Sequence, residues 1–123
     1  MKMILTVLAF SFSVAAMAVE CPSSAEEVQT QIEQQTECYF AAQIARECAW
    51  GSSIDVQFVA AAAEKCMDFQ PKMNRSDKRM YKSLMNKCAK KYENEEGTLY
   101  RSMHAHCTLN VMELMHNLFS PVE

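Results

Sequence analysis

Six cysteines, at positions 21, 38, 48, 66, 88 and 107 of a 123-residue chain, constrain the fold more than any other feature. An even count in a short chain points to a disulfide framework in an oxidising compartment. Zinc is the competing use of cysteine. Its ligands tend to come as pairs two to four residues apart, whereas the closest pair here, Cys38 and Cys48, is separated by nine residues. Three bridges are expected, which leaves no thiol free for a metal or for nucleophilic catalysis.

The N-terminus supports an oxidising destination. Lys2 gives a positive start, Ile4 to Val14 is mostly apolar, and Ala16-Met17-Ala18 has the small–x–small form of a cleavage site. Residues 1–18 read as a secretory signal peptide. The apolar run is too short to span a bilayer comfortably, and Glu20 stands before Cys21 where a lipid-attachment site needs a small residue. Cleavage leaves residues 19–123 as one domain, retains all six cysteines and moves the net charge from −3 to −4. The mature chain is expected to be exported, periplasmic or extracellular, with no membrane span.

Two Gly and three Pro leave few interruptions, and Ala, Glu, Gln, Lys and Met favour helix. The sequence predicts an all-α domain of four helices forming two disulfide-stapled antiparallel α-hairpins. The first helix runs from Ser24 to Trp50, opened by a Ser24/Glu27 capping box, with Val28, Ile32, Tyr39 and Ala42 inward and Gly51 as a left-handed stop. The second starts after Ser53, buries Val56, Val59, Ala60, Ala63 and Met67, and ends at Pro71. The third starts near Ser76-Asp77 and turns Met80, Tyr81, Leu84, Cys88 and Tyr92 inward. The fourth starts at Thr98, with a stripe of Leu99, Met103, Cys107, Val111, Leu114, Met115 and Leu118.

In an antiparallel hairpin, residues equidistant from the turn lie side by side. Cys38 and Cys66 are centred on Gly51-Ser52-Ser53, and Cys88 and Cys107 on Gly97-Thr98. Each pair would staple a hairpin, contributing roughly 3 kcal/mol by loop entropy. Cys21 and Cys48 remain. A straight first helix would hold them roughly 35 Å apart, beyond disulfide reach. Either that helix bends, or the pairing is sequential (Cys21–Cys38, Cys48–Cys66), or one of the two bonds another chain. The segments Cys48–Cys66 and Cys88–Cys107 also form a weak internal repeat, each with a Gly followed by a hydroxyl residue.

Chemistry-bearing residues are sparse. Glu113-x-x-His116 matches half of a di-iron bundle motif, which needs a second copy and two further Glu. Met103-His104 and Met112-x-x-Met115-His116 hold soft ligands suited to copper, so His106 and His116 are the metal candidates to weigh against solvated histidines and gap-filling Met. No Ser sits in a nucleophile-elbow pattern, and the carboxylate pairs Glu26/Glu27 and Glu95/Glu96 fall in caps and turns. Neither an enzyme nor a resident cofactor is expected.

Charge is the most informative functional feature. Residues 19–70 carry nine acidic and two basic side chains; from Lys72 to Lys91 there are eight basic residues and one acidic, Asp77. The plainest reading is that the basic helix packs near the acidic one and both simply solubilise the surface. The functional reading gives Glu26, Glu27, Glu33 and Glu37 to a cationic protein partner, and Lys72, Arg75, Lys78, Arg79 and Lys82 to an anionic glycan or lipid headgroup. Nucleic acid does not suit an exported chain of net negative charge.

The stretch Cys88-Ala-Lys-Lys-Tyr-Glu-Asn-Glu-Glu-Gly97-Thr98-Leu99, followed by Cys107-Thr-Leu and an amphipathic helix, resembles the tail of the LprI-type periplasmic lysozyme inhibitors. These are small exported helical proteins with a Cys, a Gly-Ser or Gly-Thr turn, and a second Cys opening the last helix. Cys88, Gly97, Thr98 and Cys107 match that pattern, over the C-terminal third of the chain. Ser83, Leu84 and Met85 stand where the family tends to place an aromatic and an Arg-Asp pair. The resemblance implies binding or inhibition of a cationic cell-wall enzyme such as lysozyme. The runner-up is a carrier of a small apolar ligand in a Met-lined pocket between helices. Insect odorant-binding proteins share six cysteines but need the second and third much closer together than Cys38 and Cys48.

Overall fold

The computed structural model describes residues 19–120, so the expected signal peptide, residues 1–18, lies outside the described residues. The described chain is all-helical: α1 Ala25–Glu33, α2 Cys38–Glu47, α3 Asp55–Glu64, a 3-10 segment Met67–Lys72, α4 Arg75–Tyr92 and α5 Thr98–Phe119. None of these helices is long and apolar enough to cross a membrane.

The expected first helix is two helices. Its ladder ends where Gln34 N–H and Gln35 N–H bond back to Thr30 and Ile32, and the chain restarts at Cys38. The break lets α1 pack on both α2 and α3, burying Val28 and Ile32 completely. It also brings the Cα atoms of Cys21 and Cys48 to 5.3 Å and allows their bridge. Cys38–Cys66 and Cys88–Cys107 complete the framework, so the sequential pairing does not occur.

Other boundaries shift for identifiable reasons. At α1, Ser24 Oγ accepts from Glu27 N–H, giving the Ser half of the expected box. Helix α3 stops at Glu64, and Pro71 lies inside the 3-10 segment. Helix α4 begins earlier than Ser76-Asp77 because Asn74 supplies the cap. Asn74 Oδ1 accepts from Asp77 N–H and Asp77 Oδ2 accepts from Asn74 N–H, both at 2.9 Å, which is a complete capping box. Gly51 (φ +69°) and Gly97 (φ +112°) take the positive φ that turns after α2 and before α5 require.

Helix α5 is the spine. Its Ala105 and Leu109 close the core formed by α1, α2 and α3, centred on Phe58. Its Val111, Met112 and Met115 close a second core with Phe69 and the Cys38, Cys66 and Cys88 sulfurs. Helix α4 packs on α5 through half-buried Tyr81, Leu84 and Met85 and buried Cys88. The expected stripes are out of phase in α3 and α5. Val56, Leu99, Leu114 and Leu118 are exposed, as are Tyr39, Met80 and Met103, whereas Phe58, Ser102 and Leu109 are buried. The fully buried carboxylate of Asp55 lies on the same face of α3 as Phe58, Val59 and Ala62.

Candidate functional site

Asp55 opens α3, and its side chain points inward instead of capping its own helix. Oδ1 accepts from Trp50 N–H at 2.8 Å; Oδ2 accepts from Gly51 N–H at 2.8 Å and from the Ser102 hydroxyl at 2.6 Å. It thereby satisfies the turn amides that follow α2 and ties that turn to α5. This carboxylate is structural: all three partners are hydrogen-bond donors of the chain itself, two from the turn and one from α5, and a buried polar group is retained only when so compensated. Exposed Leu99 adjoins the same turn, 3.7 Å from where a Gly51 side chain would begin.

The candidate binding feature is a groove of about 730 Å³ along α1, lined among others by Glu20, Glu26, Glu27, Thr30, Gln31 and Gln34. Glu26 and Glu27 stand in the first turn of α1, where carboxylates are favoured by the helix dipole. Both are exposed, as is Glu20. None of the three forms an ion pair among the described residues. Oε1 of Gln31 is buried and accepts no protein hydrogen bond. The groove therefore presents exposed carboxylates, a lining matched to ammonium or guanidinium donors, while the buried Gln31 Oε1 is not open to a partner.

The charged residues singled out in the sequence fall into four places. Glu26 and Glu27 line the groove. Glu33 lies on the exposed side of α1, accepting from Gln29 Nε2 at 2.9 Å. Glu37, just before α2, lines a separate depression of about 560 Å³ with Glu64, Lys65, Asp68 and His116. Lys78 and Lys82 stand on α4, whose packing partner is α5, whereas α1 packs on α2 and α3. The acidic and basic helices thus attach to different parts of the fold. Glu20 and Gln31 were not foreseen, since only folding α1 back beside Cys21 brings them together.

The histidines do not assemble a metal centre. His106 and His116 are ten residues apart on α5, hence about 15 Å along its axis, and cannot share an ion. No cluster of three His, Cys, Asp or Glu with metal-holding geometry occurs among the described residues. Glu113 is ion-paired with Arg46, whose guanidinium also donates to Asn110 Oδ1 at 2.9 and 3.1 Å. The two ends of the Glu113-x-x-His116 motif are therefore engaged separately. Burial holds His106 below its ordinary pKa of 6.5 and Arg46 adds to that, against the opposing charge of Asp55.

His116 Nδ1 lies 2.6 Å from Asp68 Oδ1, and Ser120 Oγ donates to Asp68 Oδ2 at 3.2 Å. Partial burial works to raise the Asp68 carboxyl. The His116 hydrogen bond and charge, the Ser120 hydroxyl and Lys72 outweigh it and hold Asp68 below its ordinary 3.8. A depressed carboxylate contributes stability above its unfolded pKa and loses it as pH falls through the folded one. Thermal melts of wild type and Asp68→Asn should therefore differ near neutrality, and the difference should shrink as pH falls through and below the ordinary 3.8 of the carboxyl. A difference constant from pH 6 to pH 3 would remove Asp68 as the cause.

An apolar groove of about 350 Å³ runs between α3 and α5, lined by Val56, Val59, Ala60 and Ala63 against Ala105 and Met112. Its walls come from the small residues of α3, and Met112 alone supplies the Met lining expected for a carrier. Comparison with protein-family models, with curated proteins and with solved structures finds no match for this chain.

Proposed function

We propose that this protein is exported and acts by binding, its acidic groove on α1 engaging a cationic cell-wall enzyme such as lysozyme. One observation carries this reading. Glu20, Glu26 and Glu27 line a single groove, all three exposed, with no cation paired to them among the described residues. Three disulfides suit an oxidising compartment, and the resemblance of the Cys88–Cys107 region to lysozyme inhibitors agrees in direction. In this reading α2 with α3 and α4 with α5 serve as two antiparallel stapled hairpins, and α1 folds across the first to present the groove. Carboxylates held on such a frame steer a cationic partner and fix its register.

The test is titration of a lysozyme acting on bacterial cell wall at low ionic strength, about 10 mM, where surface charges reach farthest. Lytic activity should fall stoichiometrically. Glu26→Lys/Glu27→Lys should weaken inhibition about 100-fold there and less at physiological salt, since rim charges act chiefly through salt-sensitive association. Full lytic activity at stoichiometric excess of the protein would end this proposal.

A further inference from the structure

Helix α4 carries seven cations in 18 residues: Arg75, Lys78, Arg79, Lys82, Lys87, Lys90 and Lys91. All seven are exposed. None forms an ion pair among the described residues. The one acidic residue of the helix, Asp77, is committed to the capping box. Like charges at helical neighbour positions destabilise a helix by about 0.2–0.5 kcal/mol each. The stripe is thus maintained against its own repulsion, on a helix fastened to α5 by Cys88–Cys107.

Placement on the helix gives the stripe direction. Arg75, Arg79, Lys82 and Lys90 recur at i, i+4, i+7 and i+15, opposite the packed side that holds Tyr81, Leu84 and Cys88. At 1.5 Å per residue this is a straight line of charge about 22 Å long. Exposed Ser83 and Asn86 lie between the cations on that side and supply neutral hydrogen-bonding groups.

We propose that this face of α4 binds a linear anionic polysaccharide, with cations contacting its carboxylate or sulfate groups and Ser83 and Asn86 its hydroxyls. A bilayer is a poorer fit. Helices that dock on anionic membranes insert several large apolar side chains, whereas Tyr81, Leu84 and Met85 of α4 are half-buried on the α5 side and Met80 is its one exposed large apolar residue. Single-stranded nucleic acid calls for stacking aromatics, and the two aromatics of α4, Tyr81 and Tyr92, are not fully exposed and lie on the α5-facing side. The surface is separate from the acidic groove, and its test does not depend on that groove.

Binding of the full chain to a sulfated glycan is measured with heparin as probe at 50 mM salt, beside vesicles containing 30% phosphatidylglycerol and a duplex oligonucleotide. The expected result is heparin binding that weakens log-linearly with salt, as release of counterions requires. At about fivefold per surface cation, Arg79→Gln/Lys82→Gln/Lys90→Gln should lose about 100-fold in affinity. Lys65→Gln/Arg101→Gln, which removes two cations outside α4, should change it less than about threefold on the same scale. Circular dichroism of the triple variant reports that the helix is retained. Ser83→Ala/Asn86→Ala should weaken the glycan and leave the duplex unaffected. Equal losses in the two multiple variants, or tighter binding to the vesicles or the duplex than to heparin, would overturn the proposal.

Discussion

Asp55→Ala should lower the stability of the fold by about 3 kcal/mol, near 15 °C in melting temperature for a domain this size. The carboxylate is fully buried and accepts from Trp50 N–H, Gly51 N–H and Ser102 Oγ. Hydrogen bonds to a charged group are worth about 1.5–3 kcal/mol each. Their sum overstates the loss, because Trp50 and Gly51 lie in an exposed turn where water can take over part of the role. Asp55→Asn preserves shape and one carbonyl oxygen but opposes an N–H of its own to one partner, so it should cost about half as much. Ser102→Ala should couple to Asp55→Ala by about 1 kcal/mol in a double-mutant cycle, as residues sharing one hydrogen bond do. Urea unfolding of wild type, the three single variants and the double variant decides the matter. A loss below about 1 kcal/mol for Asp55→Ala would mean that apolar packing alone holds the α2–α3 turn against α5.

Asp55 also shows where sequence reading stops. Its residue type at the start of a helix was visible, but an acid in a first turn is ordinarily solvent-facing. That its carboxylate turns inward depends on Ser102, 47 positions later. Asp55 shares its inward face with Phe58, three residues on, and Phe58 is buried while Val56 is exposed, so the apolar spacing of the segment misassigned the buried side. Legible features were those fixed by local chemistry or by symmetry about a turn. Gly51 and Gly97 take positive φ, and the two cysteine pairs centred on them are bonded. The break between α1 and α2 was legible only as a conflict, since Cys21 could not reach Cys48 along a straight helix. No Gly or Pro marks residues 34–37; the break is stabilised by burial of Val28 and Ile32 against two other helices, a tertiary effect. The candidate site divides in the same way. Exposed charge on α1 and α4 could be read from composition. The convergence of Glu20 with Gln31 could not, because it follows from the fold-back.

Removing Cys38–Cys66 is expected to destabilise the protein more than removing either other bridge. The loop spans 28 residues, for which chain entropy gives roughly 3.5 kcal/mol. Both sulfurs are also buried in the core around Phe69 and Met115, so the Cys38→Ala/Cys66→Ala variant leaves a void costing roughly 1 kcal/mol more. Cys21–Cys48 closes a loop of nearly equal length, 27 residues, and the entropy model alone would rank the two together. They differ in what the folded state can do afterwards. Cys21 is exposed and sits ahead of α1. Without its bridge the segment before Ser24 can relax, and that recovered freedom offsets part of the lost constraint on the unfolded chain. The Cys21→Ala/Cys48→Ala cost should therefore be about 2 kcal/mol. The same exposure makes Cys21–Cys48 the first bridge to open under mild reductant, since thiolate attack needs access to sulfur. Guanidinium melts of the pairwise variants, with mass-spectrometric counting of alkylated thiols during reduction, measure both orders. If Cys21–Cys48 opens last, or its removal costs as much as that of Cys38–Cys66, the N-terminal segment is a structural strap and not an appendage.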